Sequence, residues 1–206
     1  MKKIFFIGSI ISGVVGADAQ LRPLPISQTS PTQEQQDSDR INHECKYLNK
    51  YSIEQRNAFY PFNIAKKVKL ISFNEKRDKN ELTVTNGRLP MKGKRLIYTD
   101  IMELKTLNKS QIDSLTDILY NNIYTGYFFT IVSPECYKPK NAILFLGDKG
   151  GLIGFIEICF ECYGYRASSK KIVVGDFCSQ KYDLLKLFFQ HAGIEFGVTN
   201  NLDNNE

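Results

Sequence analysis

The strongest pattern in the chain is a pair of apolar runs, at residues 142–146 and 152–160, separated by a glycine-rich turn. Glycine adopts the positive φ angles that tight turns need, and the β-branched and aromatic residues of both runs suit a pleated sheet. The pattern therefore predicts a β-hairpin. Cys159 and Cys162 stand near the end of its second strand, as a Cys-x-x-Cys pair.

Further strands and helices are predicted on both sides of the hairpin. Residues 65–73 alternate, with Val68 and Leu70 on one side and lysines on the other, as is typical of a half-buried strand. Apolar residues recur at helical spacing after Ser110 and again over residues 179–191, where a glycine is placed to end the helix. Shorter predicted elements are a helix at residues 52–58 and strands at residues 81–85, 96–104, 127–132 and 171–174.

Together these elements predict an α+β domain. Its sheet is expected to be mostly antiparallel, with two helices that cover one face. Ser110 and Asp113 resemble a capping box, so they are expected to start the first long helix. The domain is predicted to span residues 41–198 as a single unit, followed by a mostly polar tail at residues 199–206.

The N-terminus predicts export. Two lysines precede an uncharged, largely apolar stretch at residues 4–16, and Ala17 and Ala19 then mark a signal-peptidase site. The apolar stretch is shorter than the about 20 residues that span a bilayer. Residues 1–19 are therefore predicted to be a cleaved signal peptide, and no membrane span is expected after its removal. Residues 20–40, rich in Pro, Gln, Ser and Thr, have the composition of a disordered linker.

Charge and composition narrow the range of partners. The formal net charge is +5, and lysines are interleaved with acids, as at residues 75–79. This pattern is typical of a solvated surface, so nucleic acid is not expected as a partner. Export also removes the protein from the compartment where it would meet nucleic acid. The Lys-, Asn- and Ile-rich composition and the short signal favour a bacterial protein in the periplasm or outside the cell.

The five cysteines, which include Cys45, leave several interpretations open. Export favours disulfides, and the odd count leaves at least one thiol unpaired. Alternatively, Cys159 and Cys162 form half of a zinc site completed by two of Cys136, Cys178 or a histidine, and no other cofactor is expected. A thioredoxin-like redox pair is a third interpretation, although no helix is predicted after the motif. A fourth is that the pair is structural and buried.

Strand geometry bears on these alternatives. If the strand continues to Cys162, side chains alternate, and Cys162 shares the apolar face with Phe160. Cys159 then lies on the other face with Glu157 and Glu161. The two sulfurs converge only where the strand bends or bulges near Phe160. The alternation therefore favours a buried structural role for Cys162.

No complete catalytic set is visible in the sequence. It has no G-x-S-x-G elbow, no H-E-x-x-H motif and no acidic calcium loop, and the glycine-rich turn lacks the G-K-[ST] of a phosphate loop. His43 lies beside the linker, and His191 falls in the last turn of the final helix, where it suits the helix dipole. Glu157 and Glu161 are expected on a solvent-facing edge of the hairpin in preference to acting as paired carboxylates.

The segments CYKPKNAI at residues 136–143 and IEICFEC at residues 156–162 resemble a diffuse group of bacterial proteins that have no established activity. Members of that group carry a Cys-x-x-Pro-basic-His/Asn segment, a hairpin with an Ile-Cys-Phe-Glu-Cys core, and a C-terminal helix with an Ala-Gly-Ile-like end. The resemblance implies that Cys136, Cys159 and Cys162 belong to one constellation. It implies no catalytic residue.

Three functional hypotheses follow from the sequence. The first is an exported domain of the bacterial cell envelope that acts without catalysis, by binding another envelope protein or a cell-surface component. The second is a metal-binding or thiol-redox protein that uses the cysteines Cys136, Cys159, Cys162 and Cys178. The third, a remainder, is an enzyme built around Glu157, Glu161 and His43.

Overall fold

A computed structural model of the chain describes residues 32–42, 44–74, 88–93, 95–126 and 137–199, which all fall in one unit. The helices of the described part are α1 (Gln33–Asn42), α2 (Ile53–Asn57), α3 (Lys109–Asn121) and α4 (Ser179–His191). Its strands are β1 (Cys45–Tyr47), β2 (Lys67–Phe73), β3 (Met91–Lys92), β4 (Arg95–Leu96), β5 (Ile101–Thr106), β6 (Asn122–Tyr124), β7 (Asn141–Leu146), β8 (Leu152–Cys159) and β9 (Gly164–Ala167). None of these helices has the length and apolarity needed to cross a membrane.

The centre of the fold is a five-stranded sheet in the order β5-β2-β7-β8-β9. Each neighbouring pair in it is antiparallel, and the predicted hairpin forms its β7–β8 pair. Two further antiparallel pairs, β1 with β6 and β3 with β4, lie outside it. The predicted α+β class with a mostly antiparallel sheet is therefore confirmed.

Both faces of the central sheet are buried. In β2, Val68 and Leu70 pack into one core, with side chains of α3 and α4, as the prediction of helices on one face requires. Ile71 and Phe73 alternate to the other face and pack into a second core with Leu89 and its neighbours. All six residues of β7 are buried, and the five from Ala142 to Leu146 are apolar, as is typical of a central strand covered on both sides.

The long helices begin and end for identifiable reasons. The helix α4 spans the residues predicted for it, and Gly193 follows with φ +83°, a conformation that ends helices at little cost only with glycine. The predicted cap of α3 was wrong. Asn108 accepts from the backbone N–H of Gln111, whose side chain accepts from the Asn108 N–H in return. Ser110 instead lies inside the first turn.

Several shorter predictions differ from the structure. The strand predicted at residues 96–104 is interrupted by a 3₁₀ turn at Tyr98–Asp100, and residues 171–174 form no strand. The strand β9 was not predicted. The helix α1 occupies the end of the predicted linker. The signal peptide, the strands at 81–85 and 127–132, the polar tail beyond residue 199, His43 and Cys136 lie outside the described residues.

Candidate functional site

The Cys-x-x-Cys pair forms a disulfide across the β8–β9 turn. The strand ends at Cys159, which pairs in register with Gly164, and four residues turn the chain between them. The two sulfurs converge because the strand ends at Cys159 and the chain turns from Phe160 onward, which is the bend that the sequence required for convergence. The predicted buried position of Cys162 was wrong: Cys159 is 1% exposed, whereas Cys162 is half-buried.

A second disulfide joins Cys45 and Cys178. Cys45 begins β1, and Cys178 is the residue immediately before α4. The Cys45 N–H also donates to Oε1 of Gln180, at 3.3 Å. The bond therefore fastens the small β1–β6 sheet to the start of the last helix.

These pairings bear on the predicted zinc ligands. The sulfurs of Cys159, Cys162 and Cys178 are each bonded to another sulfur, so none of them offers the thiolate that zinc requires. Cys136 lies outside the described residues. Within the described ranges, no group of three or more His, Cys, Asp or Glu side chains is arranged to hold a metal ion.

Glu157 and Glu161 have different surroundings. The predicted solvent-facing position of Glu157 was wrong, since its side chain is fully buried and accepts two bonds from Arg166, its cross-strand neighbour on β9. It also accepts from the Leu89 N–H at 2.7 Å. Glu161 lies in the exposed turn, paired with Lys140 at 2.6 Å. The two carboxylates therefore do not form a catalytic pair. Glu157 links the segment around Leu89 to the sheet, whereas Glu161 is solvated.

Lys181 is a fully buried cation on α4. Its ammonium donates to the carbonyl oxygens of Leu119, at 2.7 Å, and Asp176. Burial lowers the pKa of Lys181 to about 8, and the charge of Asp176 opposes that shift. Because both acceptors are backbone groups of neighbouring segments, Lys181 ties α4 to the end of α3.

Aromatic side chains surround the disulfide turn. The rings of Tyr163 and Tyr182 meet edge to face at 5.5 Å, and those of Tyr165 and Phe177 stack at 4.1 Å. Burial raises the pKa of the Tyr182 phenol, so this ring is a packing element that stays protonated. Tyr163 has φ 47°, which the closed turn imposes on it, and its side chain is exposed. The cluster packs the turn against α4.

An open groove of about 300 Å³ lies beside the β7–β8 turn, at the end of β8 opposite to the disulfide turn. Its lining includes Arg95, Leu96, Tyr98, Leu146, Lys149 and Leu152. Hydrogen bonds from the Gly147 N–H to the Gly151 carbonyl and from the Gly150 N–H to the Gly147 carbonyl hold the turn beside it. Two parts of the chain, far apart in sequence, thus converge on one concave surface.

The sequence predicted none of the groove residues as a site. The glycine-rich turn was recognised as the turn of the hairpin, and the strand β8 follows it. The sequence did not show which other segment of the chain lies beside this turn. Arg95 and Tyr98 reach the turn only through the packing of their segment on the second face of the sheet.

Comparison with models of protein families found no match, and comparisons with curated proteins and with solved structures found none either.

Proposed function

We propose that this chain is an exported, non-catalytic binding domain of the bacterial cell envelope, and that a cell-surface component binds in the groove. The observation that carries the proposal is the groove itself. Small-ligand sites are concave, mostly apolar surfaces with a few polar groups, and its volume lies at the lower end of their range. Export and the bacterial envelope are supported by the N-terminal pattern and the composition.

The buried polar groups support binding over catalysis. Glu157 and Lys181 are the described ionisable groups that most resemble catalytic residues, because both are fully buried. Each is already occupied by structural partners: Arg166 and the Leu89 N–H for the carboxylate, and two carbonyl oxygens for the ammonium. Neither lines the groove.

A ligand screen on a variant with a blocked groove tests this proposal. Gly151 lines the groove, a Cβ there meets open space, and its φ lies outside the positive range, so Gly151→Phe adds a bulky ring beside the groove without backbone strain. Lys138→Phe, on an exposed position before the other end of β7, is the matched control. We expect small molecules from a fragment screen by NMR to bind the wild type and the control and to lose binding to Gly151→Phe. Ligands that bind all three proteins equally would contradict the proposal.

Thiol–disulfide exchange is a second candidate function, favoured by the disulfide in the β8–β9 turn. The half-buried Cys162 is more accessible to attack than Cys159. A thiolate of a partner dithiol protein attacks the Cys162 sulfur, the bond to Cys159 breaks, and Cys159 leaves as a thiolate that takes up a proton. The partner's second thiolate then displaces Cys162. The partner is oxidised by two electrons, and the domain gains two thiols.

Graded reduction with dithiothreitol, followed by alkylation and peptide mass analysis, tests this second function. The Cys45–Cys178 bond is the internal control, since Cys178 is 4% exposed. Exchange predicts that Cys159 and Cys162 are alkylated in the native protein at reductant concentrations that leave Cys45 and Cys178 paired. Simultaneous reduction of both bonds, only when the protein unfolds, would make both disulfides purely structural.

A further inference from the structure

Two cations, Arg95 and Lys149, line the groove. In the part of the chain that the structure describes, neither Arg95 nor Lys149 takes part in an ion pair. The carboxylate next to Lys149, that of Asp148, lies 3.9 Å from Lys66. Positive charge at the rim is therefore available to a ligand.

The rest of the lining has a different chemistry. Leu96, Leu146 and Leu152 present apolar surface, and Leu146 and Leu152 are direct partners across the β7–β8 pair. Tyr98 is 55% exposed at this site, so its ring is free to lie against a ligand. An exposed tyrosine beside leucines offers an apolar body and a polar tip in one place.

We propose that the groove binds a small amphipathic anion, in which one phosphate or carboxylate group is attached to a ring or another apolar body. The anionic group binds between Arg95 and Lys149, because charge-assisted hydrogen bonds from cations are about twice as strong as neutral ones. The apolar body covers the leucines and Tyr98. This inference rests on the proposed binding function and names the class of its ligand.

Three matched probes separate the parts of this inference: phenyl phosphate carries both elements, inorganic phosphate only the anion, and benzyl alcohol only the ring. Each is titrated into the isotope-labelled full chain, and the backbone amides of Gly150 and Gly151 report binding by NMR. We expect saturable shifts with phenyl phosphate and at least roughly tenfold weaker binding of the other two. Raising the salt concentration is expected to weaken phenyl phosphate binding.

Charge variants complete the test. Arg95→Gln with Lys149→Gln is expected to weaken phenyl phosphate binding by about tenfold or more, whereas Lys138→Gln, at the far end of β7, leaves it unchanged. Equal binding of benzyl alcohol and phenyl phosphate would contradict the proposed role of the anionic group but would leave the binding function unaffected. If inorganic phosphate bound as tightly as phenyl phosphate, the proposed contribution of the apolar body would be contradicted. Absence of any shift with phenyl phosphate would overturn the inference, and the binding function falls only if the fragment screen also finds no ligand for the groove.

Discussion

Glu157 and Arg166 are direct cross-strand neighbours on β8 and β9, joined by two hydrogen bonds of 2.6 and 2.8 Å. The carboxylate is fully buried, and 43% of the Arg166 side chain is exposed. The pair therefore places a charge inside the second face of the sheet and brings its counter-ion in from the surface. The bond from the Leu89 N–H to the same carboxylate extends this link to the segment that covers that face.

Replacing Glu157 is expected to destabilise the fold. Glu157→Gln keeps the shape but removes the charge that Arg166 faces, and breaking a buried ion pair costs about 3–5 kcal/mol. Because Arg166 is partly hydrated, we expect a decrease in the free energy of unfolding of about 2–3 kcal/mol. Urea unfolding measures this value. The control is Glu161→Gln in the exposed pair with Lys140, where a decrease of less than about 1 kcal/mol is expected. Similar losses in both variants would contradict the structural role of Glu157.

The lowered pKa of Lys181 predicts that its contribution to the free energy of unfolding rises with pH. Its pKa is lowered to about 8 in the folded protein, whereas an unfolded lysine titrates near 10.4. Between these values the unfolded chain binds more protons at this residue, so Lys181 is expected to contribute an increase of about 2 kcal/mol to the free energy of unfolding from pH 8 to pH 10. Burial raises the pKa of Tyr120 and Tyr182, so from about pH 9 upward the unfolded chain loses protons that these folded residues keep, and this lowers stability.

The measurement for this prediction is urea unfolding at a series of pH values for the wild type and for Lys181→Met. The variant lacks this titrating group, so its stability is expected to show no rise between pH 8 and pH 9 and to fall toward pH 10 as the tyrosines of the unfolded chain ionise. A variant that shows the same rise would assign the effect to another residue.

The two disulfides are expected to contribute unequally. The bond between Cys45 and Cys178 closes a loop with a sequence separation of 133, and that between Cys159 and Cys162 one of 3. Loop-closure entropy gives about 5 kcal/mol for the long loop and about 2 kcal/mol for the short one. Paired Cys→Ala variants of each bond, compared by urea unfolding without reductant, measure the two contributions. Equal losses would show that native contacts outweigh loop length.

Gly175 is expected to tolerate no side chain. It has φ +68°, and a Cβ there would stand 2.4 Å from the Leu119 carbonyl oxygen, which also accepts the bond from Lys181. Gly175→Ala is therefore expected to lower the free energy of unfolding by about 3 kcal/mol, from backbone strain and the clash together. Gly151→Ala, where a Cβ meets open space, is the control and is expected to unfold like the wild type. A fully stable Gly175→Ala protein would contradict the packing of this loop on α3.

Much of the secondary structure was predictable because its signals are local. The glycine-rich turn between two apolar runs specified the β7–β8 hairpin, and apolar positions at helical spacing specified α3 and α4. The helix α4 was even placed to the residue, since Gly193 marks its end in the sequence itself. These features follow from side-chain periodicity and backbone preference within a few residues.

The strand β9 had no comparable signal. Its four residues, Gly164–Ala167, are too few for a periodic pattern, and they form a strand because β8 offers them an edge to pair with. Without β9, Arg166 had no predicted position opposite Glu157, so the burial of that carboxylate was missed. Whether Cys159 and Cys162 converge stayed open for the same reason, because the turn that joins them exists only where β9 begins.

The sequence by itself determined the fold class, the main hairpin and the long helices, because each depends on neighbours in the chain. Tertiary structure alone decided which cysteines pair, why Glu157 and Lys181 are tolerated inside, and where the groove lies. These features join residues that are distant in sequence, such as Arg95 and Lys149 at the groove. Their contacts depend on how the sheet and its covering segments pack, and no local pattern encodes that packing.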